Sequence, residues 1–88
     1  MIPQHLRPFF WDINADNFNP HSYPRYTITR LLESGDEKAV AWLRETFSEA
    51  EIKEAVCSER RLSRRSANFW ALVYRIPFAK VAALKPAA

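Results

Sequence analysis

One glycine, Gly35, serves all 88 residues, against six prolines. Hairpin turns and phosphate-cradling loops draw on glycine because they need positive φ or close backbone approach. A chain with a single glycine is poorly suited to a β-rich fold and has no glycine-rich nucleotide loop. The expected fold class is therefore all-α, in one domain spanning residues 1–88, since the length admits one domain and not two. A core this small is thin, but three Trp, three Tyr and six Phe bury much area per residue.

The apolar spacing predicts four helices. The first runs from Pro24 to Ser34, with proline in its first turn, Ile28, Leu31 and Leu32 inward, and Gly35 as the C′ residue. Asp36 is the N-cap of a second, Glu37 to about Phe47, with Ala39, Val40, Leu43 and Phe47 as its stripe and Trp42 beside it. Ser48 and Glu51 form a capping box for a third, which turns Ile52, Ala55 and Val56 inward. Ser63 caps a fourth. Leu62 is placed to staple against Ala67, Phe69, Leu72, Val73 and Ile76 are expected as the apolar face, and Pro77 ends or redirects the helix. A short fifth helix is expected over 78–84, and a frayed tail over 85–88. The connections are short, so sequential helices pack against each other. The architecture is a compact bundle of four to five short helices.

Residues 1–23 read as an irregular arm. Pro3, Pro8 and Pro20 break helices, and Asp12, Asn14, Asp16, Asn17 and Asn19 favour turns. The arm also carries Phe9, Phe10, Trp11, Ile13 and Phe18, so it is expected to wrap over the helices and bury those rings.

No pattern of catalytic residues emerges, and the chain is expected not to be an enzyme. Asp12-Ile13-Asn14-Ala15-Asp16 imitates the start of a calcium loop, but Asn17 and Tyr23 stand where the loop needs Gly and Glu. His5, His21 and Cys57 lack the paired spacing of a zinc site, and Cys57 has no evident base. No cofactor and no metal is expected. The single cysteine excludes an internal disulfide. No apolar run approaches the roughly 20 residues of a membrane span, and the opening MIPQHLRPFFWDIN lacks a signal-peptide core. The expected compartment is the cytoplasm, with no membrane partner.

Charge is uneven. Residues 1–52 hold five Lys/Arg and eight Asp/Glu, for −3, whereas residues 53–88 hold eight and two, for +6. Arg60, Arg61, Arg64 and Arg65 fall within six residues, at the junction of the third and fourth helices. Cations in the first turn of a helix oppose its dipole, so Arg64 and Arg65 break a local rule, and such breaks mark candidate functional positions. Arginine suits bidentate contact with phosphate or carboxylate. Two helices joined by a short turn with a basic second N-terminus also fit a helix-turn-helix variant, in which Ser66 and Asn68 could read bases. Phe69 and Trp70 are adjacent, about 100° apart on a helix, so both cannot point into the core. Either the helix is buried over a wide arc, with the arm covering Trp70, or one ring is a contact residue.

Phe10-Trp11-Asp12, Leu31-Leu32-Glu33-Ser34-Gly35-Asp36, Trp42-Leu43, Arg61-Leu62-Ser63 and Asn68-Phe69-Trp70 occur in this order. Over roughly residues 9–77 the pattern resembles a family of small bacterial proteins of unknown function, often encoded beside nucleotidyltransferase-like toxins of the abortive-infection type. The chain departs from that pattern in the proline-rich approach to its first helix, Asn19-Pro20 and Tyr23-Pro24. The resemblance implies an antitoxin or accessory component whose partner is such a toxin. The functional expectation is a non-catalytic module that binds a protein through Arg60, Arg61, Arg64 and Arg65, with Trp11 and Trp70 as anchors. The alternative is a DNA-binding regulator using helices three and four, acting as a homodimer.

Overall fold

The computed structural model describes residues 2–14 and 17–85. Four α-helices form its body: α1 (Pro24–Ser34), α2 (Glu37–Thr46), α3 (Glu49–Ser58) and α4 (Arg64–Val73). No strand occurs among the described residues, and the expected all-α bundle is the fold observed. Helix α1 lies at the centre. It buries Thr27, Ile28, Leu31 and Leu32 and packs against the other three helices and the N-terminal arm.

The helix starts follow from local chemistry. Pro24 occupies the first turn of α1. The Asp36 carboxylate accepts from the Ala39 N–H at 2.9 Å, and the Ser63 hydroxyl accepts from the Ser66 N–H at 3.1 Å. At α3 the capping box is complete, with Glu51 N–H donating to Ser48 Oγ and Ser48 N–H donating to the Glu51 carboxylate. Each such cap is worth about 1 kcal/mol.

The arm is more regular than its prolines suggest. Gln4–Phe10 form a 3-10 helix that contains Pro8, and Pro20–Ser22 form a 3-10 turn. Proline's φ near −65° fits 3-10 geometry and forfeits only one hydrogen bond there. Leu6 and Phe10 are fully buried, at about 2 kcal/mol each, and hold the arm down. Phe10 packs on Phe18 with ring centroids 5.6 Å apart, and Phe18 meets the edge of Tyr26 at 5.7 Å. Trp11 is the exception to the expected burial of the rings. It caps the 3-10 helix one residue past Phe10, about a third of a turn from the inward face, and is 80% exposed. Arg30 of α1 moors this corner. Its guanidinium donates to the Asp12 carboxylate at 2.6 Å and to the Tyr26 hydroxyl at 2.8 Å, and lies over the Trp11 ring. The hydrogen bond from Arg30 holds the Asp12 carboxyl below its ordinary range.

Helix α4 departs from expectation in its face. Phe69, Leu72 and Val73 were expected inward, yet they are exposed, and the buried residues are Ala67, Trp70 and Ala71. Both sets have helical spacing, so periodicity alone does not choose between them. Two alanines let α4 approach the core closely, and Trp70 finds a partner for its indole N–H there. Of the four residues expected on the inward face only Ile76 packs against the core, and it does so from beyond the end of α4. The end is a Schellman turn: Ile76 N–H donates to Ala71 O at 2.8 Å and Arg75 N–H to Leu72 O at 3.3 Å, with Arg75 at φ 56°. Pro77 therefore follows a stop already made. The fifth helix expected over 78–84 is two 3-10 turns, Phe78–Lys80 and Ala82–Leu84, around the fully buried Val81. Of the expected frayed tail, residues 86–88 lie outside the described residues.

Gly35 ends α1, but not in the left-handed conformation expected of a C′ glycine, since its φ is −74°. It is needed for space. A Cβ there would meet the Leu31 carbonyl oxygen at 2.5 Å and the Ala39 Cβ at 2.9 Å, where α2 leaves α1. Two substitutions should therefore move stability in opposite directions. Gly35→Ala should cost about 1–3 kcal/mol through overpacking. Arg75→Gly should gain about 1 kcal/mol, because glycine adopts φ 56° without the Cβ penalty. Urea unfolding followed by circular dichroism measures both, and a destabilised Arg75→Gly variant would contradict the Schellman assignment.

Candidate functional site

Two long-range contacts set how α4 sits on α1. The indole N–H of Trp70 donates to the Leu32 carbonyl at 2.9 Å, and Leu32 lies in the last turn of α1, where carbonyls lack helical partners. In the other direction, the Glu33 carboxylate accepts from the Ser63 N–H at 2.7 Å, the Ser63 hydroxyl at 2.8 Å and the Ser66 hydroxyl at 2.7 Å. Each helix end thus satisfies the other. Partial burial pushes the Glu33 carboxyl up, but the three Ser63 and Ser66 bonds outweigh it, and the group lies below its ordinary value. Its negative charge at the N-terminus of α4 also offsets the cost of Arg64 and Arg65 in that first turn.

The arginine run is exposed throughout. Arg60, Arg61, Arg64 and Arg65 all face solvent, and none forms an ion pair among the described residues. Trp11 and Arg61 come together in one groove of about 550 Å³ beside Arg30 and Glu33. Arg65, Ser66, Asn68 and Trp70 border another, of about 540 Å³, on the far side of Glu33. Two of the residues singled out in the sequence are committed inside the fold. Trp70 is 7% exposed, with its N–H bonded, so it is a core residue and not a surface anchor. Ser66 gives its hydroxyl to Glu33, which leaves Asn68 as the freely exposed one of the two base-reading candidates. Among the described residues no three His, Cys, Asp or Glu side chains are placed to hold a metal ion. No helix there is long and apolar enough to cross a membrane.

The residues missed are the neighbours of Trp70. Phe69 is 55%, Leu72 62% and Val73 42% exposed, and Phe78, just beyond the helix, is 49% exposed. Phe69, Leu72 and Val73 sit at i, i+3 and i+4, so they form one outward stripe, and Arg65 continues it one turn earlier. The Phe69 ring meets the Trp70 edge at 4.9 Å and 87°, which fixes it at the lip of the groove. The signal in the sequence was the pair Ala67 and Ala71, small residues that mark the packed side of α4.

A comparison with protein-family models matches residues 6–56 to DUF6922, a family of unknown function. The match takes in most of the arm's first 3-10 helix, its second 3-10 turn, α1, α2 and most of α3, and ends before the arginine run and α4. Comparisons with curated proteins and with solved structures find no match.

The Glu33 geometry makes a pH-dependent prediction. A lowered folded pKa stabilises the protein above the ordinary value of 4.5, and that stability is lost as pH falls through the folded pKa. Glu33→Gln should cost about 1 kcal/mol at pH 7. The deficit should shrink towards zero as the pH is lowered from 5 into the range where the wild-type carboxyl protonates. Urea midpoints across that range test it, and a constant deficit would show that Glu33 acts through packing and not through its charge.

Proposed function

We propose that this chain, which belongs to the family of unknown function DUF6922, is a non-catalytic protein-binding module that docks its partner on the outer face of α4. The observation that carries the reading is the solvent-facing stripe of Phe69, Leu72 and Val73 beside arginines that form no ion pair among the described residues. Large apolar side chains grouped on one exposed helix face mark interaction sites, whereas single ones do not. Arginine and aromatic residues are also the types enriched where binding energy concentrates. Trp11, on the other side of Glu33, supplies a second exposed ring next to Arg61. The sequence resemblance points to a nucleotidyltransferase-like toxin as the partner, with this chain as the antitoxin or accessory half.

A DNA-binding role has one supporting observation, the four exposed guanidiniums at the α3–α4 junction. It is the weaker reading, because the N-terminus of α4 that would enter the major groove is already occupied by the Glu33 carboxylate. If it held, affinity for duplex DNA would fall with salt at a log–log slope of roughly −0.9 per phosphate contacted.

The test is an affinity capture from the native cell extract, comparing the wild-type chain with a Leu72→Ser, Val73→Ser double variant. Both positions are exposed, so the variant should keep its helical spectrum. The reading predicts a protein recovered with the wild type and depleted about tenfold or more with the variant, as expected for loss of a central contact. If that protein is nucleotidyltransferase-like, the toxin–antitoxin assignment stands; another protein retires that assignment and keeps the module. Identical recoveries from both baits would remove α4 from the account.

A further inference from the structure

The α4 face has a chemistry that selects its occupant. After Glu59 the chain has no acidic residue, while Arg60, Arg61, Arg64, Arg65, Arg75, Lys80 and Lys85 are all basic. Arg65 shares the outward stripe with Phe69 and Leu72, and Arg64 lies beside it at the start of the helix. Arg75 sits just past the other end, at φ 56°, where glycine would be less strained. A cation kept at a strained, exposed position fits a use for its charge. Across the groove from Phe69 the border is mixed, with Asp36 and Glu37 at the start of α2 and Arg44 further along that helix.

From this arrangement we infer that α4 receives an amphipathic helix of a partner protein, with an apolar stripe at i, i+3, i+4, i+7 and acidic residues along the edge that meets Arg64, Arg65 and Arg75. The inference rests on the protein-binding reading above and names the partner surface. A helix seats its side chains between those of a facing helix, and the narrow stripe of α4 fits one such ridge. Acidic residues along that edge would give the three arginines ion-pair partners, which they do not have among the described residues. A second copy of the chain is disfavoured. Whether two α4 helices met parallel or antiparallel, Arg64, Arg65 and Arg75 would oppose cations of their own kind, at a cost in binding. An anionic bilayer is disfavoured too, because a plane would meet the whole mixed border, Glu33, Asp36 and Glu37 as well as Arg44 and Arg65, whereas a helix with acid along one edge can meet the arginines of α4 alone.

The experiment uses two synthetic helical peptides of about 18 residues, long enough to be marginally helical alone. Both carry the same leucine stripe. One has Glu along a single edge, and the other has Lys at the same positions. Titration into the labelled full chain is followed by fluorescence anisotropy, alongside sedimentation of the chain alone and binding to vesicles of phosphatidylserine and phosphatidylcholine. The Glu peptide should bind at least about tenfold more tightly than the Lys peptide, and added salt should narrow the gap. Arg64→Glu with Arg65→Glu should reverse the preference. If that variant loses its helical spectrum, Arg75→Glu is read instead and should shrink the preference.

Equal binding of the two peptides would overturn the acidic partner and leave the apolar face in place. Binding of neither peptide would overturn the inference as a whole. Self-association abolished by Leu72→Ser would assign the face to a second copy, and binding to the vesicles alone would assign it to lipid. The double variant's capture result, read separately, tells whether the protein-binding reading has failed with it.

Discussion

The structure turns on the exchange of capping groups between α1 and α4. Trp70 of α4 satisfies a terminal carbonyl of α1, and Glu33 of α1 satisfies donors at the N-terminus of α4. Helices of ten or eleven residues are marginal alone in water, and their unsatisfied ends are a large share of their length. Tying two such ends together fixes the rotation of α4 about its own axis. With Trp70 held inward, Phe69, Leu72 and Val73 can only face out. The charge on Glu33 also makes the arginines of the first turn tolerable, so the same contact that orients α4 permits the basic edge beside it.

The remaining elements keep this pair in place. Helices α2 and α3 pack against α1, the arm covers its other side through Leu6 and Phe10, and the C-terminal turns bury Val81 against α3 and α4. Gly35 allows α2 to leave α1 at a distance no side chain would permit. The apolar material is thus spent on a thin core around α1, and the outer face of α4 is left uncovered, as are the Trp11 and Tyr23 rings of the arm.

Most of the fold was legible in the sequence because its signals were local. Asp36, Ser48 with Glu51, and Ser63 act within three residues, and each sets the helix start it was expected to set. The span of α1 follows from Pro24 and Gly35 in the same way, although Gly35 is required by crowding from Leu31 and Ala39 and not by its φ. What was not legible depended on distant partners. Nothing near Trp70 in the chain names Leu32, and nothing near Ser66 names Glu33, yet those contacts decide which of two equally periodic stripes of α4 turns inward. The candidate site inherited that ambiguity. Arg60, Arg61, Arg64 and Arg65 are exposed as expected and Trp11 is exposed against the burial expected of the arm's rings, whereas Trp70 exchanged places with Phe69. On α4 the large residues Phe69, Leu72 and Val73 were read as the apolar face, and here Ala67 and Ala71 mark the packed side.

The measurement that reaches the central point most directly is solution NMR of the labelled chain, combining exchange of the indole protons with a soluble paramagnetic agent. The account predicts that the Trp70 indole proton exchanges slowly while that of Trp11 exchanges fast. It also predicts that the agent broadens the methyls of Leu72 and Val73 and spares those of Ala67 and Ala71. A fast-exchanging Trp70 indole, with Leu72 and Val73 protected and the alanines broadened, would show α4 rotated by half a turn. The exchange of caps and the docking face would then both be wrong.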